Sequence, residues 1–154
     1  MNTYMKVAIQ EAKKGIKGGH GGPFGAVIVK NGEIIGKGHN KVLSKLDPTL
    51  HGEIDAIKNA CKNIKSINLI GSDIYTTGEP CPMCLGAILW ANINKIFYGC
   101  SIEENEMIGF RDKVFYDSLS LSTEKIKNKL IQIDHDECLK LFQEYANIKD
   151  KTNY

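Results

Sequence analysis

Long apolar stretches are missing from this sequence. The longest, Leu85 to Ala91, falls far short of the roughly 20 residues that cross a bilayer, so no membrane-spanning helix is expected. The N-terminus has no apolar core of signal-peptide type, and the expected compartment is the cytoplasm. Cysteine is scarce and odd in number. Five in 154 residues do not make the disulfide framework of a small secreted domain. An excess of either charge is also missing, since 20 basic and 18 acidic residues leave a net +2. A polynucleotide partner usually requires a clustered basic face, so nucleic-acid binding is not expected. Repeats, low-complexity tracts and an interdomain linker are absent too. One domain covering residues 1–154 is left, able to bury roughly 68–70% of its unfolded surface.

Within that domain, apolar spacing places the elements. Tyr4, Met5, Ala8, Ile9, Ala12 and Ile16 recur at helical intervals and predict a first helix stopped by Gly18-Gly19. Phe24 to Lys30 and Glu33 to His39 flank Asn31-Gly32, the signature of a two-residue hairpin turn. Leu50 to Ile64 predicts a second helix after Asp47-Pro48-Thr49, and Asp73 to Thr77 a strand. Pro80 to Ala91 predicts a third helix, with prolines only in its first turn. Lys95 to Gly99 and Leu130 to Ile133 read as short strands, and Glu137 to Ala146 as a final helix. Residues 100–123 predict loop and short helix. Strands alternating with helices after a hairpin imply a mixed α/β sheet covered on both faces.

The chemistry concentrates in His51-Gly52-Glu53 and Pro80-Cys81-Pro82-Met83-Cys84. One imidazole and two thiolates are zinc ligands, and a catalytic zinc keeps three protein ligands and leaves a fourth position to water. Cys81 and Cys84, three apart at a helix start, can turn both sulfurs toward one ion, and a helix N-terminus favours thiolate. His51 and Glu53 lie about 200° apart on an ideal helix, so they flank the ion only where the first turn departs from ideality. Glu53 is not needed as a ligand and is placed to move a proton from an activated water to a substrate. A structural zinc needs a fourth ligand. Cys61 is roughly 15 Å along the helix from His51, while His20, His39, Cys100 and His135 remain open on sequence grounds. His39 otherwise reads as a packed strand-end residue, and Cys61, Cys100 and Cys138 as structural.

The order H-x-E…P-C-x-x-C resembles the signature of zinc-dependent nucleobase deaminases. Gly21-Gly22-Pro23-Phe24-Gly25-Ala26-Val27, Asp47-Pro48-Thr49, Glu79 to Cys84 and Gly109-Phe110-Arg111-Asp112 look like bacterial guanine deaminases of the cytidine-deaminase-like superfamily, along nearly the whole chain. That resemblance implies a three-layer α/β/α fold with a central mixed sheet of about five strands, one zinc per chain and a homodimer. It implies hydrolysis of guanine to xanthine and ammonia, with water adding at C2 and Glu53 carrying protons. By the same resemblance, Asn40 binds the base's polar edge, Phe24 and Trp90 pack on its ring, and Asp112 contacts its donors and assists proton transfer. The tail, residues 147–154, covers an active site, often the partner's, and makes Tyr154 a lid residue.

One position departs from the pattern. Gly52 stands where guanine deaminases commonly carry alanine, and glycine there resembles fungal-type cytosine deaminases. The missing methyl is expected to widen the pocket beside the metal, a change usually worth about 1–3 kcal/mol in discrimination. Cytosine, other aminated heterocycles and adenosine in transfer RNA are the alternative substrates. A zinc-stabilised binding protein is the non-enzymatic alternative.

Overall fold

The computed structural model describes residues 1–154. Its elements run α1 (Thr3–Lys17), β1 (Gly25–Lys30), β2 (Glu33–His39), α2 (Val42–Lys45), α3 (Gly52–Ile64), β3 (Ser72–Gly78), α4 (Pro82–Trp90), β4 (Ile96–Cys100), α5 (Ile102–Met107), α6 (Asp112–Ser118), β5 (Leu130–Gln132) and α7 (His135–Ala146). The hairpin turn is as its sequence demands, with φ 51° at Asn31 and 78° at Gly32. Asn2 caps α1 by accepting from the Tyr4 and Met5 amides. The stretch after β4 holds two short helices. Ser101 and Glu104 close a reciprocal capping box on α5, two orphan amides satisfied at once.

Two helices begin later than their apolar spacing suggested. α3 starts at Gly52 and α4 at Pro82, and the residues before them, His51 and Cys81, are extended (ψ 164° and 168°). For Cys81 the cause is local: a residue preceding proline is driven out of the helical region. α2 is a single turn with no sequence signal of its own.

The sheet order is β2-β1-β3-β4-β5. β1 runs antiparallel to β2 and β3, whereas β4 is parallel to β3 and β5. Central β1 is a continuous apolar run because both of its faces are covered. Val27 and Val29 point into one core layer with α1 and α7, while Ala26 and Ile28 point into the other with α3 and α4. The architecture is therefore three-layer α/β/α. No helix is long and apolar enough to cross a membrane.

This topology gathers one end of the sheet. The start of β1 lies beside the ends of β2 and β3, Gly25 pairing with His39 and Ala26 with Thr76. Phe24, Asn40 and Glu79 consequently emerge together, and α3 and α4 begin at the same end. α1 reaches the sheet through glycine: a Cβ on Gly25 would lie 2.0 Å from the Ala8 carbonyl oxygen and 2.7 Å from the Ala12 nitrogen, both backbone atoms that cannot rotate away. Gly25→Ala is accordingly expected to destabilise the fold by about 1–3 kcal/mol through overpacking. At roughly 2–4 °C per kcal/mol for a chain of this size, the melting temperature falls by several degrees. A wild-type melting curve for this variant would contradict the close approach.

Candidate active site

His51, Cys81 and Cys84 form the group of potential metal ligands, their donor atoms all within 4.8 Å of one another. Both sulfurs lie 3.6 Å from His51 Nδ1. Zinc bonds of about 2.3 Å to sulfur and 2.0–2.1 Å to nitrogen, meeting at a tetrahedral angle, set that separation at about 3.6 Å. The donor set therefore fits zinc in both chemistry and spacing, and thiolate with imidazole disfavours magnesium or calcium. The sequence puzzle of His51 and Glu53 resolves in the backbone. His51 is the extended residue before α3 and Glu53 sits in its first turn, so the ideal 200° separation does not apply. The residues left open as a fourth ligand are occupied elsewhere. His20 and His39 bond each other, His135 bonds Glu104 and Asp136, and Cys100 lies in the core with Cys138.

The electrostatics are those of an interior rich in anionic groups. The hydrogen bond from Cys84 pulls the Cys81 thiol down to about 4, against burial and with help from His51, while Cys84 is pushed well above its ordinary value. Burial disfavours the charged form of His51, but its bond to Cys81 and the nearby Glu53 outweigh this and raise it to about 8. Burial first, then the Cys81 charge, lifts Glu53 to about 7 and Asp112 to about 6. Two free helix N-termini, without side-chain caps, face this cluster and favour the thiolate.

Above the cluster is a cavity of about 20 Å³ lined by Phe24, Asn40, His51, Glu53, Glu79, Cys81, Phe110, Asp112 and Tyr154, which is room for a water. Asn40 is buried, and its Oδ1 accepts from the Val42 amide (3.1 Å) and from the Tyr154 hydroxyl (3.0 Å). The Gly22 amide donates to Tyr154 Oη at 2.6 Å. Phe24 meets Phe110 edge-on at 4.8 Å, and Phe110 meets Tyr154 at 5.5 Å. Among the predicted site residues, Cys84 lies behind this cavity in the ligand cluster, and two others are brought to neither. Trp90 is 88% exposed at the last turn of α4, six residues beyond Cys84 and so about 9 Å along the helix axis. Gly52 is buried but faces away: a Cβ there would lie 2.8 Å from the Phe24 carbonyl oxygen. The missing methyl makes way for backbone and does not widen the pocket.

Three contributors escaped the sequence. Phe110 is a ring that meets Phe24 edge-on; it lies within the Gly109 to Asp112 segment, which was informative only as a whole. Asn105 is fully buried and donates to Asp112 Oδ2 at 2.9 Å and to the Glu79 carbonyl at 3.1 Å. Glu79 Oε2 accepts from the Ile102 amide, tying α5 to the ligand loop. No spacing rule marks Asn105 or Glu79.

The known proteins that this chain resembles are deaminases. Residues 1–100 match the cytidine and deoxycytidylate deaminase zinc-binding region. The chain is 41% identical to guanine deaminase of Bacillus subtilis over 99% of its length and 97% of that protein's. It is 35% identical to a tRNA-specific adenosine deaminase of Buchnera aphidicola over 95% of its length and 93% of that protein's. The X-ray structure of the Bacillus subtilis guanine deaminase superposes with a TM-score of 0.75, covering 100% of this chain and 99% of that one.

The unequal thiols give a direct check. In metal-free protein, iodoacetamide at pH 6 is expected to alkylate Cys81 well before Cys84, because only Cys81 is thiolate there. Zinc should protect both. Peptide mass spectrometry reads the order, and equal labelling would contradict the electrostatics.

Proposed function

We propose that this chain, which belongs to the cytidine and deoxycytidylate deaminase family, hydrolyses the exocyclic amine of a free nucleobase, guanine giving xanthine and ammonia. The observation that carries the reading is the three-donor set at zinc spacing beside a buried carboxylate, Glu53. Bound at His51, Cys81 and Cys84, one zinc per chain supplies Lewis acidity that brings the pKa of a water toward neutrality.

The chain's own groups do the rest. Glu53, poised near 7 by burial, takes one proton from the attacking water to the ring nitrogen and then carries the second, from the new hydroxyl, to the departing amine. The water oxygen bonds to the carbon bearing the amine, the carbon–nitrogen bond breaks, and ammonia leaves. Asp112, held by Asn105, accepts a ring N–H and assists the transfer. With Oδ1 of Asn40 already accepting two hydrogen bonds, its Nδ2 donors serve the polar edge of the base. Phe24 and Phe110 flank the ring, and Tyr154 closes over it. The closed space of about 20 Å³ is smaller than a base, but a cavity of about 420 Å³ beside it also borders His51, Cys81 and Asp112; a base enters from that side, with Tyr154 and the tail, residues 147–154, closing the other.

The free base is favoured over a transfer-RNA substrate by that closure and by a net charge of only +2, although one relative named above is a tRNA-specific deaminase. A single domain, a role in purine breakdown or salvage, and a cytoplasmic setting complete the reading. A homodimer is part of it, possible exchange of the tail between protomers included. Met83 and Trp90, seven residues apart on one side of α4, are 38% and 88% exposed, an apolar stripe suited to a partner.

Ammonia release from zinc-loaded protein is expected with guanine in preference to cytosine, adenine, their nucleosides and ammeline. Turnover of none of these, with inosine formed in transfer RNA, would overturn the substrate. Glu53→Gln is expected to keep its fold and its zinc while turnover drops about 100-fold or more; near-normal turnover would sink the mechanism.

A further inference from the structure

We propose that Glu11, His39 and His20 form a hydrogen-bonded chain that positions Asn40 for the base, making His20 and His39 positioning residues of this site. The inference rests on the reading of Asn40 given above. Glu11 on α1 and His39 at the end of β2 are both buried. Glu11 Oε2 lies 3.2 Å from His39 Nδ1, and His39 Nε2 lies 2.9 Å from His20 Nδ1. The two imidazole planes are 16° from parallel with centroids 5.1 Å apart, the end-to-end arrangement of a hydrogen bond lying in the ring planes.

The protonation pattern follows from the partners. Burial works against the Glu11 carboxylate, but hydrogen bonds from Lys14 and His39 hold it below the ordinary range. It is therefore an acceptor, and His39 donates to it through Nδ1. Burial first, and the Lys41 charge, keep His39 below its ordinary value despite Glu11, so His39 is neutral and its Nε2 accepts from His20 Nδ1–H. Each link has one orientation. The other charged groups around the chain are Lys14 on α1, Lys37 on β2, Lys41 just beyond it, and Asp55 on α3, which accepts the His39 amide.

Both ends of the chain reach Asn40. His39 precedes it directly. His20 precedes Gly21, whose Cβ, if present, would lie 2.0 Å from Asn40 Oδ1. His20 also accepts the Leu43 and Ser44 amides through its carbonyl, so the loop before β1 and the turn after β2 close around the Asn40 amide from two sides. The His20–His39 bond is a direct side-chain link between those two segments, beside the Tyr154 hydroxyl that bridges Gly22 and Asn40. Neither histidine touches the metal ligands. A carboxylate and an imidazole buried here forgo the packing that apolar side chains of similar volume would give; what they supply is a fixed separation of the segments holding Asn40.

Two variants at His20, which is only half-buried, separate positioning from packing. His20→Phe keeps a ring edge against His39 and loses the donor; His20→Asn keeps a donor near the place of Nδ1. With zinc-loaded protein and guanine, His20→Phe is expected to raise KM about three- to tenfold, the scale of one lost hydrogen bond. Its kcat should stay within about twofold, with zinc content and melting temperature unchanged, and His20→Asn should restore KM. An unchanged KM in His20→Phe, an equal rise in both variants, or a joint fall of kcat and melting temperature overturns the chain while leaving the substrate assignment intact. A wild type inert toward guanine overturns the substrate assignment instead, and the role of the chain toward that base with it.

Discussion

Two helix N-termini meeting at one end of a mixed sheet is the constraint on which the rest of this molecule depends. α3 and α4 start from extended residues, His51 and Cys81, and their unpaired amides face a cluster in which one thiol is already ionised. Burying a thiolate next to Glu53 and Asp112 is costly. Each carboxyl is pushed upward by burial and by the Cys81 charge, so the protein alone leaves surplus negative potential in a dry site. Helix dipoles offset part of it. A divalent cation at the three donors offsets far more, and the donor spacing suits zinc. Proton chemistry near neutral pH is a natural product of this balance, because the same field that attracts a cation keeps a buried carboxyl close to its midpoint.

The sheet carries the burden of placing those helices. Glycines at 36 and 38 on β2 let α3 settle onto the strand, a Cβ at either position meeting Ala56 or Ala60 atoms at 2.6 Å. Gly25 does the same for α1 on the opposite face. Small residues on both sides of the sheet thus set helix depth, and helix depth sets where His51 and Glu53 arrive. The energetic link is direct: close packing fixes the backbone, and the backbone carries the ligand atoms.

Much of this was legible in the residues. The Asn31-Gly32 turn, the unbroken apolar run of β1 and the period of α1 each follow from one local rule, and the structure has them where the rules put them. The capping box at Ser101 and Glu104 was equally legible by its spacing, although residues 100–123 as a whole gave no periodic signal. What stayed hidden depends on contacts between distant segments. Gly52 looked like a pocket-widening change, yet its missing Cβ is excluded by the Phe24 carbonyl, 28 residues earlier. Trp90 was expected by resemblance to pack on the base, yet α4 ends with it exposed and away from this chain's own cavity. Glu11 and His39 are ordinary residues in sequence, and only the packing of α1 across the hairpin brings them together.

The closed cavity ties chemistry to selectivity. Tyr154 accepts from Gly22 and donates to Asn40, and burial lifts its phenol to about 12, so it remains a neutral donor at any physiological pH. Its donation, with that of Val42, commits Asn40 Oδ1 and turns the Asn40 amide so that its nitrogen is the free end. The wall then offers donors at Asn40 and, once ionised, an acceptor at Asp112. A base presenting a carbonyl oxygen and a ring N–H satisfies both, whereas adenine, which lacks a carbonyl, leaves the Asn40 donors to ring nitrogens alone. Unpaired polar groups in a dry pocket are penalised far more heavily than a lost methyl contact. On the proposed reading, discrimination would lie in the Asn40–Tyr154–Gly22 network and in Asp112, with Gly52 turned toward the Phe24 carbonyl.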